Sequence, residues 1–471
     1  MVGFDSSKKS LFRSNNLLLV VLFVLASIFG LLTAVLSAFI DNPLKLVAIP
    51  ILIALLFLYF YNRSYLMLLI ILSRASLDPL LTWSGVGLGG ALNILVISIC
   101  ILFLFSKSDV ARAPFFRMWF PFLFLVMFSV LYSPDKIYSF RFSLLLLSYC
   151  VLFIIPFYLV RSVKDAGDII KVLVISSFIP ICYALFELAT GRAITVDGIR
   201  LKSTFTHPNV FAFYLVVMIT FSLYLLKNTV FLLAKSKRIL LVLYMLLMIA
   251  LLLLTKTRGA WLACIEVFVF YGIFFERKIL VYIFVAGVSA LALPAVQDRL
   301  SDLVQGSEYA QYAQYAKLNS YEWRVQLWLS ALEWVKLKPI LGYGINSFKL
   351  YSPTFFPLDS INEFDAHNVY IQLLFDIGVV GLLSYLFVLF NLFAWLKKIY
   401  PQDKPGIAII ASLVLAYVIA SYSDNILHYH ALNWYFWGLM GFICAYMQLL
   451  KKQATELVKD NSDNMKTNKS E

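Results

Sequence analysis

"LLLVVLFVLASIFGLLTAVLSAFI", residues 17–40, is an apolar run without one charge. About 20 such residues in a helix cross the hydrocarbon core of a bilayer, and the run is too long for the apolar part of a cleaved signal peptide. It reads as an uncleaved first span behind Lys8, Lys9 and Arg13. Comparable runs recur almost to the C-terminus. Of the 471 residues 62% are hydrophobic and 14% charged, with mean hydropathy +0.85, where soluble domains are roughly half apolar. The fold class is an all-α polytopic membrane protein.

Hydropathy predicts about 14 transmembrane helices, near residues 17–40, 44–61, 64–82, 88–106, 118–132, 139–160, 168–188, 207–226, 239–255, 259–275, 279–296, 369–395, 406–422 and 432–450. Arg74, Asp78 and Pro79 interrupt the third. With residues 1–16 in the cytoplasm, Arg63, Lys107, Arg161, Lys235, Arg277 and Lys397 all fall in inner loops, as the positive-inside rule requires. The net charge of +13 is then a matter of topology, and no nucleic-acid partner is implied. Spans 1–11 occupy 17–296, one large extracytoplasmic loop occupies 297–368, spans 12–14 occupy 369–450, and 451–471 is expected to be a disordered cytoplasmic tail. The loop is mostly helical by its spacing over residues 307–339. "PILGYGINSF" and "YSPTFFPLDS" read as turns and irregular chain.

This topology puts His207, His367, His428 and His430 on the outer side. Histidine suits proton transfer near neutral pH, and His367 stands where a long polar stretch enters a span. Arg192, Arg200 and Lys202 in one outer loop, and Lys256 and Arg258 in a tight outer turn, break the positive-inside trend. Arginine grips phosphate oxygens in a bidentate fork, so Arg258 and Arg200 are candidate anion ligands. Arg324 and Trp328, four apart, share a helix face and are candidates for a second anion or acceptor contact. Tyr309, Tyr312 and Tyr315 are similarly spaced, as on one face of an amphipathic helix. Gly342 and Gly344 permit a sharp turn. Asp78, Glu187, Glu266 and Asp376 fall within predicted spans, where a carboxylate is a candidate proton relay or arginine partner, and for Glu266 and Asp376 an ion pair with a neighbouring helix is expected. All five cysteines lie in apolar runs, which disfavours disulfides or a cysteine-based zinc site. The chain has no Walker A loop, D-x-D, H-E-x-x-H or G-x-S-x-G motif. No cofactor and no metal are expected.

Several stretches resemble the O-antigen ligase and O-antigen polymerase superfamily of bacterial membrane glycosyltransferases. The ligase pattern of His, then Asn, Ser or Gln, nine residues and G-x-x-G is met by His367, Asn368, Gly378 and Gly381. "TKTRGAW" is similar to the family's small/polar-x-Ser-Arg-Gly segment, with Thr257 in place of serine. "RLKSTFTHPN", with Arg200 and His207, is similar to its arginine loop before a turn, and "WRVQLWLSALEWVKLKPILGYGINSF" to its loop region. The resemblance covers roughly residues 200–395.

It implies transfer of a glycan from a polyprenyl (undecaprenyl) diphosphate carrier to a hydroxyl acceptor such as lipid A-core. Transfer would be inverting, without nucleotide or metal, on the periplasmic side of the inner membrane, with both chain termini cytoplasmic. Arg258, Arg200 and Lys256 would bind the donor diphosphate, His367 would act on the acceptor hydroxyl, and Arg324, Trp328 and His207 would contact the acceptor or a second anion. Two other readings stay open: a polymerase joining lipid-linked repeat units in polysaccharide biosynthesis, and, in another class, a transporter or flippase of lipid-linked glycans.

Overall fold

The computed structural model describes residues 54–78, 81, 88–106, 115–195, 198–231, 233–292, 296–297 and 320–467. The predicted first span, much of the second, Tyr309, Tyr312 and Tyr315 lie outside the described residues. The regular secondary structure of the described residues is helical except for a ribbon of two antiparallel strands, β1 (Ile194–Thr195) and β2 (Gly198–Ile199). Among the described residues six stretches are long and apolar enough to cross a membrane: Lys136–Leu159, Val163–Ala189, Pro208–Lys227, Lys235–Leu254, Val369–Gln402 and Lys404–Ser423. Shorter apolar helices cover Gly89–Phe105, Arg117–Tyr132 and Lys278–Ala290.

In chain order the helices are α1 (Arg63–Arg74), α2 (Leu88–Ser106), α3 (Phe115–Ser129), α4 (Lys136–Ile154), α5 (Val163–Ser176) and α6 (Phe178–Ala189). They continue as α7 (Pro208–Lys227), α8 (Lys235–Leu254), α9 (Arg258–Phe274) and α10 (Lys278–Ala290). The last five are α11 (Ser320–Val335), α12 (Phe348–Phe355), α13 (Val369–Ile399), α14 (Lys404–Ser423) and α15 (His430–Thr467). Helices dominate because a backbone in lipid must satisfy its own N–H and C=O groups. Their starts carry ordinary caps: Asp135, Ser162 and Asp403 accept from Tyr138, Asp165 and Gly406 N–H.

Helix α7 is the axis of the bundle, 94% buried across its apolar window, and packs against α8, α9, α14 and α15. Its neighbour α8 is only 28% buried and turns most of its surface outward, as a lipid-facing helix does. The start of α9 lies close to the end of α14, since a Cβ on Gly259 would stand 2.9 Å from Ser423 Oγ. Helix α1 stops at Arg74, whose guanidinium pairs with Asp78 at 2.7 Å and lies over the Trp434 ring at 5.4 Å. The charges that interrupt the third hydrophobic run are therefore neutralised inside the protein.

Helix α13 is broken at Gly378, which has φ 67° and ψ −172°. The chain 339–344 threads the break: Val379 N–H donates to Pro339 C=O at 2.9 Å, while Tyr343 and Gly344 N–H donate to Phe375 and Asp376 C=O at 3.1 and 2.8 Å. A Cβ on Gly378 would lie 2.1 Å from Ile340 O, and one on Gly342 would lie 2.4 Å from Phe375 O. These two glycines are required by contact as well as by φ.

Three expectations are corrected. "YSPTFFPLDS" is not irregular throughout, because its first half lies in α12 with Pro353 inside the helix. Aromatic packing of Phe348 and Phe355 on Phe375 outweighs the proline. The stretch after Lys451, expected to be disordered, continues α15 to Thr467. It contains no Gly or Pro, gains a Lys452–Glu456 pair at 3.9 Å, and extends a helix already nucleated. Among the described residues Asp376 pairs with no cation on a neighbouring helix. Its carboxylate accepts from the N–H groups of Asn346, Ser347 and Phe348 at 2.9, 3.0 and 2.9 Å.

Candidate functional site

The site forms at the end of the bundle where α7, α9, α13 and α15 begin and α14 ends. Asp424, directly after α14, is buried and is the group on which the others converge. His367 Nδ1 stands 3.7 Å from Asp424 Oδ1, with the imidazole 39% exposed and the carboxylate 5%. That separation is an ion-pair contact, longer than a hydrogen bond. Asn209 Nδ2 donates to Asp424 Oδ2 at 2.7 Å, and Asn425 N–H donates to Oδ1 at 2.9 Å.

Asn209 joins the two segments that carry the candidate anion ligands. Its Oδ1 accepts from Thr257 Oγ1 at 3.2 Å and from Arg200 Nη2 at 3.4 Å. Thr257 precedes Arg258, the first residue of α9, so the Arg200 loop and the Arg258 turn are stitched together through one carboxamide. Both arginines are half-buried. Lys256 is only 5% exposed and has φ 53°. The Arg200 loop is braced from below by Glu187, which accepts the Ser203 N–H at 2.7 Å. Glu187 is thus a backbone acceptor, whereas Asp78 pairs with Arg74. In α9, Glu266 has no hydrogen-bond partner for either carboxylate oxygen among the described residues.

His207 caps α7, its Nδ1 accepting the Asn209 N–H at 3.1 Å. Desolvation, then the Arg200 charge, lower its pKa below the ordinary histidine value. Arg324 Nη1 donates to Ser423 C=O at 2.6 Å, which brings α11 onto the same corner. Burial alone would raise the Asp424 pKa, but the adjacent His367, the Tyr429 hydroxyl and the Arg324 charge reverse this and hold it below the usual carboxylate range. Asp424 is therefore a fixed negative charge at neutral pH.

His367 has φ 48°, in the left-handed region that few side chains enter. The neighbours that hold it there are specific. Asn368 caps α13, its Oδ1 accepting from Tyr370 and Ile371 N–H at 2.9 and 3.2 Å. Trp328 is buried, and its Nε1 donates to Ala366 C=O at 2.6 Å. Trp328, expected to contact the acceptor, packs its indole into protein and supports the histidine turn. His428 stacks on Phe142 at 4.5 Å and its Nε2 meets Asn346 Oδ1 at 3.0 Å, next to the loop that Asp376 caps.

The structure thus brings His367, Arg200, Arg324 and His207 to one corner, with Arg258 at its edge. Gly342, Gly344, Gly378 and Gly381 belong to the scaffold of the broken helix. Asp424 and Asn209 are the residues that sequence reading missed as participants. Asn209 stands inside the quoted "THPN" turn, but Asp424 follows an apolar span with no local pattern around it, and its partners are remote in sequence.

Chemically, the corner offers cationic groups beside a helix N-terminus, where anions are favoured, and an accessible imidazole oriented by a buried carboxylate. No curated protein matches the chain. Residues 243–386 match the family model described as O-Antigen ligase, a segment that includes Arg258, Arg324, His367 and all four scaffold glycines but neither Asn209 nor Asp424. The match at residues 243–386 supports a place in the O-antigen ligase and O-antigen polymerase superfamily, in a chain whose described residues include six helices long and apolar enough to cross a membrane.

Proposed function

We propose that the protein is a glycosyltransferase of the ligase type, moving a glycan from a polyprenyl diphosphate carrier to an acceptor hydroxyl at the outer face of the bacterial inner membrane. The observation that carries this is the convergence of Arg200, the Thr257–Arg258 turn, Arg324 and His367 on the Asn209–Asp424 pair. The fourteen-span topology with cytoplasmic termini belongs to the same proposal and puts this corner outside.

In the reaction, the acceptor oxygen attacks the anomeric carbon as the bond from that carbon to the diphosphate oxygen breaks with its electron pair, inverting the centre. The acceptor proton passes to His367 Nε2, the nitrogen turned away from Asp424. The Asp424 carboxylate stabilises the imidazolium so formed, a general-base arrangement. Arg258 and Arg200 neutralise the charge that grows on the departing diphosphate. The leaving group is already activated, so these residues need supply only charge and a base.

The test is transfer by purified protein in nanodiscs, with carrier-linked glycan, candidate acceptors, chelator and no nucleotide, comparing wild type with His367→Ala and Arg258→Ala. Product from wild type and from neither variant supports the reading. Consumption of a lipid A-core acceptor identifies a ligase and consumption of a second lipid-linked unit a polymerase. Donor translocation in sealed vesicles without transfer would move the protein to the transporter class.

A further inference from the structure

Gln372 lies one turn inside α13 and is 2% exposed. A carboxamide at such a depth must be fully hydrogen-bonded to be tolerated, and this one is bonded at both ends. Its Oε1 accepts from Ala366 N–H at 3.1 Å and from Asn425 Nδ2 at 3.0 Å. Its Nε2 donates to Asp376 Oδ2 at 3.0 Å. The orientation of the amide is fixed by these partners, because only the oxygen can accept two N–H donors and only the nitrogen can face a carboxylate.

The partners are what matter for the site. Ala366 immediately precedes His367, and Asn425 immediately follows Asp424. A single oxygen therefore ties the backbone just before the imidazole to the side chain of the residue just after its carboxylate. Ala366 is held from the other side by the Trp328 indole, so both polar groups of that residue are occupied just before the left-handed His367. The Nε2 end connects the same pair to Asp376 and hence to the capped loop 346–348.

We infer that Gln372 is a positioning residue for the transfer reaction, its buried carboxamide setting the spacing and orientation of His367 relative to Asp424. The inference rests on the assignment of His367 as the base proposed above. Gln372 touches no reacting atom. Its loss lowers turnover through the geometry of His367 and leaves donor binding by the arginines largely intact.

The experiment compares wild type, Gln372→Met, Gln372→Glu, Asn425→Ala and His367→Ala in nanodiscs. Steady-state transfer is measured together with the rate at which diethyl pyrocarbonate modifies His367, followed by peptide mass spectrometry. Gln372→Met, similar in length and without hydrogen bonds, is expected to lower kcat about tenfold to a hundredfold, the scale of a small misplacement of a catalytic group. The donor KM stays within about twofold, and the His367 modification rate changes. Gln372→Glu keeps an oxygen for Ala366 and Asn425 but sets a second carboxyl against Asp376, where the amide now donates at 3.0 Å, so it is expected to be at least as impaired in kcat as Gln372→Met. Asn425→Ala shifts the same readouts in the same direction and serves if the Met variant does not fold. Wild-type turnover and wild-type His367 labelling in Gln372→Met or Asn425→Ala overturn the inference, as does a loss confined to KM with unchanged labelling. If wild type transfers nothing, the functional reading fails by itself and the labelling rates alone decide whether Gln372 positions the histidine.

Discussion

His367 Nδ1 and Asp424 Oδ1 face each other at 3.7 Å between the start of α13 and the end of α14, a half-exposed ring against a buried carboxylate. This pairing gives the imidazole one nitrogen directed at protein and one at the open corner. His367→Ala is expected to reduce kcat by about a hundredfold to ten-thousandfold, the usual contribution of a general base. Asp424→Asn keeps the shape and loses the charge, so its kcat falls by a smaller factor with the acceptor KM little changed. Steady-state kinetics with saturating donor checks both, and an Asp424→Asn enzyme with wild-type turnover would remove the carboxylate from the mechanism.

Asn209 allows a sharper comparison between two substitutions. Asn209→Ala deletes the links to Asp424, Thr257 and Arg200 together and is expected to raise the donor KM about tenfold, the scale of hydrogen bonds involving charged groups. Asn209→Asp has the same shape but places a second carboxylate against Asp424, where a 2.7 Å bond now exists. Like charges at that distance cannot both be held, so the Asp variant should be the more damaged of the two in kcat/KM. The reverse order would show that Asn209 acts through volume alone.

Gly378 provides a test of the scaffold. Its φ and ψ lie in a region essentially reserved for glycine, where another residue costs about 1–3 kcal/mol, and an added methyl would overlap Ile340 O. Gly378→Ala is expected to lower the unfolding temperature in detergent by several degrees, at about 2–4 °C per kcal/mol for a large domain. Gly438, where a Cβ meets nothing within 4 Å, supplies the control: Gly438→Ala should unfold at or above the wild-type temperature.

His428 predicts a dependence of stability on pH. Burial lowers its pKa below the ordinary histidine value, so between the unfolded value near 6.5 and the lower folded value the unfolded chain binds more protons. Stability therefore falls as pH falls through that window. His428→Gln, which can still donate to Asn346, should flatten the change in unfolding temperature between pH 7 and pH 5. An unchanged slope would mean that His428 takes up its proton in place.

How much of this was legible in the sequence depends on range. The helical membrane class follows from runs such as 208–227, and the histidine motif is local, with His367 and Asn368 just before α13 and Gly378 and Gly381 inside it. Asp424 was not legible because its role comes from Asn209 and His367, which only folding brings near. Trp328 shares a helix face with Arg324, but its bond to Ala366 C=O joins segments 38 residues apart and periodicity does not announce it. Asp376 was read by its residue type, as a carboxylate in a span. Its partners are three consecutive backbone N–H groups of a loop, which no side-chain pattern announces. The same holds for Pro353, tolerated in a helix by aromatic contacts with Phe375 that lie outside its own segment.

The chain that threads the break in α13 has one more consequence, for length. Pro339 C=O takes the Val379 N–H while Gly344 N–H reaches Asp376 C=O, so the two ends of a six-residue segment are registered against two fixed points of one helix. Surface loops commonly absorb an inserted residue at small cost, but here an insertion or deletion between Pro339 and Gly344 would put one of the two sets of bonds out of phase. The number of residues in this loop is therefore as much a part of the architecture as their identity.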